Sequence, residues 1–212
     1  MAQRTIHYLF GEIISDQIKL TDKKRFLLGS ILPDAIPTSH RNASHFKVKT
    51  QTHKYFDFAA FRNQYFGLIL QDDLYLGYYL HLVEDAFYRD YFYNNGVPMP
   101  RTKAEVPILH NDYHILNSYI VQKYHLYNIL GTSFSLDSEP LNDIAPFQID
   151  DFLQEMANDF TEQTKGNTVF LTETMLDAFV EKYIPLAIEE TASIRSGRGI
   201  LNPTDFTWPS QR

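Results

Sequence analysis

The chain has no cysteine, so disulfides, thiolate metal sites and cysteine nucleophiles are excluded, and any metal ligands must be imidazole or carboxylate. Such ligands suit zinc, iron or manganese. No segment approaches the roughly 20 apolar residues needed to cross a bilayer. The amino terminus, Met1 to Phe10, runs directly into an amphipathic pattern without a signal-peptide hydrophobic region, so a cytoplasmic protein is expected. Basic runs are short. Nothing exceeds Lys23-Lys24-Arg25, and 19 basic against 26 acidic residues leave a net charge of -7, which argues against duplex nucleic acid as a partner. Internal repeats, low-complexity tracts, linkers and convincing strand runs are all missing.

Apolar and aromatic residues are abundant instead. At 44% and 15% of the chain they argue against disorder, and 212 residues suffice for one domain with a sizeable core. Ile6, Leu9, Phe10, Ile13, Ile14 and Ile18 repeat at helical spacing, and Thr21-Asp22 offers an N-cap for a second helix that Pro33 stops. From Asp34 to His53 the chain is polar and aperiodic, which predicts a long loop of the kind that often carries function. Tyr55 to Tyr65 predicts a helix, and Asp72-Asp73 opens a long aromatic helix over Leu74 to Phe92, ended by Asn94-Asn95-Gly96 with Pro98 and Pro100. A further helix is expected from near Thr102 to Leu130, with Pro107 kinking it or marking its start and Gly131 as the stop. Phe147 to Gln163 and Leu171 to Ile194 complete the set, the second bent at Pro185. Residues 196–212, with the only tryptophan, Trp208, read as an irregular C-terminal strap. The fold class is all-α: one domain over residues 1–212, a bundle of six or seven helices.

Within this pattern, histidines and aspartates fall at suggestive places. His81 and Asp85 are four apart on the long helix and so project from one face, where they can close on a single metal ion. An ion pair is the plainer alternative, but it would lie among Tyr78, Leu82 and Phe87, where burying charge is costly. His7 lies in the first helix, where a hydrogen-bonded core histidine is the ordinary expectation. Asp34 follows Pro33 and could be a turn residue or N-cap. His45 and His53 lie in the polar segment. His110 and His114 share i,i+4 spacing, with Asp112 about 160° from their midpoint, so the three cannot all face one ion on a regular helix. Tyr88, Tyr91, Phe92 and Tyr93 pack as core and rim or form an apolar lip over a substrate; Arg89 and Arg101 are solvated or contact a phosphate.

The order of these segments resembles the zinc-dependent phospholipase C superfamily, which includes single-strand nucleases. The resemblance rests on His7 in the first helix, Gly29-Ser30-x-x-Pro33-Asp34, Ser44-His45-Phe46, Gly77-Tyr78-x-x-His81-x-x-x-Asp85 and Asn111-Asp112, over roughly the first 125 residues. Most similar are short, unexported bacterial proteins described only as phospholipase C-like. It implies that Asp34, His45, His81 and Asp85 bind one metal, with Asp85 bridging to a second that uses His7. It also implies that metal-bound water attacks a phosphoester with Asp34 assisting as base, so Asp34 and Asp85 are the catalytic carboxylates. The exported members' terminal amine ligand and His-x-x-x-Glu motif have no clear counterpart; Asp112, His110, His114 or His53 are the possible substitutes. One or two ions, zinc or another divalent transition metal, are expected, with a lipid headgroup or nucleotide as the small phosphoester. Two alternatives stand beside this: a non-catalytic metal-containing module on the same scaffold, and an HD-type nucleotide phosphohydrolase, against which the absence of any His-Asp dipeptide counts.

Overall fold

The computed structural model describes residues 3–94, 100, 102–161 and 164–210, and these form a mostly α-helical fold. Its helices are α1 (Arg4–Ser15), α2 (Lys23–Ile31), the single turn α3 (Arg41–Ser44), α4 (Phe58–Gln71), α5 (Asp73–Asn94), α6 (Val106–Lys123), α7 (Ile149–Asp159) and α8 (Glu173–Arg195). Side chains of Asp22, Asp57 and Thr172 accept from the N–H three residues on and so start α2, α4 and α8. Every residue of α5 from Leu74 to Tyr88 is buried, which makes it the central helix of the bundle. It packs against α1, α2, α4 and α8.

The tightest of these packings is the crossing of α2 and α5, and two glycines make it possible. A Cβ on Gly29 would overlap the Leu74 carbonyl and lie 2.9 Å from the Tyr78 nitrogen; one on Gly77 would overlap the Phe26 carbonyl and lie 2.9 Å from the Ser30 nitrogen. Backbone therefore meets backbone. This fixes His81, one turn beyond Gly77, against the end of α2 from which Asp34 emerges.

Several sequence expectations are corrected. The polar segment 34–53 is not a featureless loop: it holds 3-10 turns at Leu32–Asp34 and Thr38–His40, then α3, then strand β1 (Lys47–Lys49). With β2 (His53–Phe56) and β3 (Trp208–Pro209) it builds an antiparallel sheet in the order β1-β2-β3. Strands of three, four and two residues are too short to show an alternation. The helix expected from Tyr55 begins at Phe58 and runs on to Gln71. The one expected over Thr102 to Leu130 spans Val106–Lys123, so Pro107 marks its start and Gly131 lies beyond its end. Pro185 sits inside a continuous α8. The C-terminal strap carries a 3-10 turn, Pro203–Phe206, before Trp208 docks as an edge strand. Asn95, Gly96 and Pro98, expected to end α5, lie outside the described residues.

One buried carboxylate ties this tail to the bundle. Glu190 accepts from Arg62 Nη1 at 3.0 Å, from the Tyr79 hydroxyl at 2.5 Å and from the backbone N–H groups of Ile200 and Leu201 at 2.7 and 2.9 Å. Glu190→Gln keeps the shape but removes the charge and an acceptor. It should lower stability by about 1.5–3 kcal/mol in denaturant unfolding, the worth of hydrogen bonds to a charged group.

Candidate metal centre

Four separate pieces of chain deliver five side chains to one point. Buried α1 supplies His7, and the 3-10 turn after α2 supplies Asp34. The residue after α3 is His45, and α5 supplies His81 and Asp85. His7 Nε2 lies 3.7 Å from Asp34 Oδ2 and 3.7 Å from Asp85 Oδ1. His45 Nε2 lies 3.4 Å from Asp34 Oδ1, 3.5 Å from Asp85 Oδ2 and 3.2 Å from His81 Nε2. Ligands about 2.0–2.1 Å from a tetrahedral ion are roughly 3.3–3.4 Å apart, so the observed spacings are close to those that a metal ion would need. The cluster resolves into two triads, His7–Asp34–His81 and His45–His81–Asp85, that share His81.

The outward-facing nitrogens explain why the inner ones point where they do. His81 Nδ1 meets the Ser30 carbonyl at 2.8 Å, and His45 Nδ1 meets the Arg41 carbonyl at 2.9 Å. A carbonyl only accepts, so each Nδ1 carries the hydrogen and each ring turns its Nε2 inward. The two Nε2 atoms face each other at 3.2 Å, with the Asp34 and Asp85 oxygens 3.4 and 3.5 Å from His45 Nε2, so a proton or a cation must lie among them to relieve the repulsion of facing lone pairs. His7 Nε2 and Asp34 Oδ1 make no hydrogen bond although both are buried.

Local structure holds these orientations. Ser44 Oγ donates to the Pro33 carbonyl at 2.8 Å and the Tyr78 hydroxyl donates to the Ser44 carbonyl at 2.7 Å, which ties α3 to the Asp34 turn and to α5. Phe46 then takes a left-handed φ of 49°, strained for a bulky side chain, to turn the chain into β1. Sequence reasoning missed Glu84. It is 1% exposed, and its Oε2 accepts from His7 Nδ1 at 2.8 Å, the carboxylate–histidine support that metal-ligating histidines commonly have. The available signal was an acidic residue three positions beyond His81, on the otherwise apolar stretch of α5.

Burial pushes His81 down to about 3, helped by the His7 charge, so the ring is neutral. Asp34 is held well below the usual carboxylate range: burial opposes this, and the hydrogen bond with His45, together with the attraction of the histidines around it, outweighs it. Burial would also lower His7, but Glu84, Asp85 and Asp34 raise it to about 9. The metal-free centre therefore keeps a proton on the His7–Glu84 pair at neutral pH, and an ion must displace it. Because the folded pKa lies above 7, divalent metal binding at pH 7.5 should release about one proton, and affinity should rise about tenfold per pH unit until pH approaches 9. Calorimetry in two buffers of different ionisation enthalpy reads the proton count, which should fall in Glu84→Gln.

The other proposed ligands lie elsewhere. Asp112 is buried, but its carboxylate accepts from the N–H groups of Val169, Phe170 and Leu171 at 2.9, 2.6 and 3.1 Å and so caps the approach to α8. His110 and His114 are exposed on α6. His53 is half-buried on β2, stacked on Tyr55. None joins the cluster. Tyr88 and Phe92 are core residues rather than a lip, Tyr91 is half-buried, and the side chain of Tyr93 and all of Arg101 lie outside the described residues. Arg89 is half-buried with its guanidinium 5.4 Å from the Trp208 ring centre. Among the described residues no helix is long and apolar enough to cross a membrane. Comparison with protein-family models, curated proteins and solved structures returned no match for this chain.

Proposed function

We propose that this chain is a metal-dependent hydrolase of phosphoric esters, with zinc or another divalent transition metal held by His7, Asp34, His45, His81 and Asp85. The observation that carries this is the convergence of the His45 and His81 Nε2 atoms, 3.2 Å apart, with two carboxylates whose charges one divalent ion would balance. Such an ion supplies Lewis acidity and brings the pKa of bound water toward neutrality. His81 has one nitrogen to offer, since Ser30 occupies the other, so the two triads overlap on one atom and favour a single ion. Asp85 is fully enclosed and acts as ligand. Asp34, at 8% exposure the most open of the five, is the carboxylate able to reach a substrate and accept its proton. The choice of phosphoric esters rests on the motif order that resembles the phospholipase C superfamily.

The near-complete enclosure of the ligands favours a second reading, a non-catalytic module with a structural ion. Metal content of protein purified without chelator, followed by a panel of phosphomonoesters and phosphodiesters, separates the two. About one ion per chain with turnover supports the hydrolase, and one ion without turnover on any ester supports the module. Protein without stoichiometric metal sinks both.

A further inference from the structure

The small sheet carries an unbalanced set of charges on one face. Side chains alternate along a strand, and the register pairs Lys47 with Phe56, Lys49 with Lys54 and Lys54 with Trp208, so all five project from the same side. Phe56 and Trp208 are 1% and 5% exposed, so their part of that side packs on the bundle, with α5 against β2 and β3, while Lys47 and Lys49 at its β1 edge are exposed. Arg89, one turn beyond Asp85 on α5, lies over the Trp208 ring. The rings run in sequence toward the metal centre: Trp208 is 4.8 Å from Phe56, and Phe56 is 5.9 Å from His45.

Lys49 and Lys54 stand directly opposite each other, an arrangement that costs stability through like-charge repulsion. In a chain with seven more acidic than basic residues, none of Lys47, Lys49 and Lys54 has an ion-pair partner among the described residues. Lysines on an edge strand can serve to deter pairing with other chains, which would account for β1. It does not account for Lys54, half-buried on the central strand.

We propose that Lys47, Lys49, Lys54 and Arg89 form an anion-binding site beside the metal centre, and that the substrate is a multiply charged phosphate compound. This rests on the hydrolase reading and narrows it. A zwitterionic headgroup would bring a quaternary ammonium against four cations, whereas an ester with a second phosphate would place that group on the lysines. Guanidinium and ammonium groups together suit phosphate oxygens, the first by paired hydrogen bonds and the second as a point charge.

Trp208 is the only tryptophan, and it lies within the proposed site, so its fluorescence reports binding there without any turnover. Inorganic pyrophosphate is the probe and phosphocholine the zwitterionic comparison, each titrated into protein as purified and into Asp85→Asn. Pyrophosphate should give a saturable change in both proteins, about tenfold weaker in Lys49→Gln/Lys54→Gln, and phosphocholine should give none over the same range. An affinity for pyrophosphate within about twofold of wild type in the double variant, no saturable change in wild type, or equal binding of phosphocholine overturns the proposal. Asp85→Asn keeps the outcomes separate: its binding of pyrophosphate supports the lysine site independently of the metal, and wild-type protein that binds pyrophosphate through these lysines but holds no stoichiometric metal refutes the hydrolase reading alone.

Discussion

Asp85→Asn is expected to leave the protein folded, strip it of stoichiometric metal, and lower phosphoester turnover by at least about 10³-fold, which corresponds to about 4 kcal/mol of lost transition-state stabilisation. Asparagine matches aspartate in volume, so the packing of α5 is undisturbed. It presents one weaker acceptor where the carboxylate faced His7 at 3.7 Å and His45 at 3.5 Å, and it removes one of the two charges that balance the ion. In the metal-free state the same change removes a carboxylate whose charge the surrounding histidines favour and which helps hold the proton on His7. Metal-free Asp85→Asn should therefore be no more stable than metal-free wild type. Glu84→Gln, one step removed from the ion, should weaken metal affinity by about 10–100-fold without abolishing it. Elemental analysis and a phosphoester assay on matched samples read both. An unchanged metal content in Asp85→Asn would falsify the assignment of the centre.

The distribution of what could be read in advance follows from where the physical signals are strong. α1 was legible because an apolar repeat of 3.6 persists over it, and α5 because its run of apolar and aromatic residues is too long for a strand; His7, His81 and Asp85 stood out because imidazole and carboxylate are conspicuous on such helices. His81 and Asp85 needed only helical spacing. Bringing His7, Asp34 and His45 to them needed the order of motifs, since no local rule links residues from four different segments. Asp112 shows the converse: a buried aspartate in a suggestive position whose oxygens prove to be occupied by three backbone N–H groups. Glu84 was hidden because its role depends on His7, 77 positions away. The sheet was hidden for a different reason. Lys47-Val48-Lys49 gains its meaning only from pairing with β2 and, through it, with Trp208 at the far end of the chain. Pairing of that kind leaves no local periodicity, so the lysine face had no trace in the sequence reading.

Gly77→Ala should be as damaging as Gly29→Ala at the same crossing, and its effects should reach His81. The added methyl would overlap the Phe26 carbonyl and sit 2.9 Å from the Ser30 nitrogen, and both obstacles are backbone in the middle of α2. Neither can rotate away. The helices must separate, and the cost should exceed the roughly 1–3 kcal/mol usual for an overpacked core. Helix propensity pulls the other way by only about 1 kcal/mol, so the clash wins. Gly67→Ala measures that opposing term by itself: Gly67 is exposed on α4 with nothing within 4 Å of the new Cβ, and the substitution should stabilise by about 0.5–1 kcal/mol. Separation of α2 from α5 also moves His81 Nδ1 from the Ser30 carbonyl, the contact that turns its Nε2 toward His45. Gly77→Ala should therefore lose stability and metal affinity together, whereas Glu190→Gln, whose carboxylate bonds none of the five clustered side chains, should lose stability alone. Denaturant midpoints and metal affinity measured on both variants test the link. Equal metal affinity in Gly77→Ala and wild type would show that the α2–α5 crossing does not orient the centre.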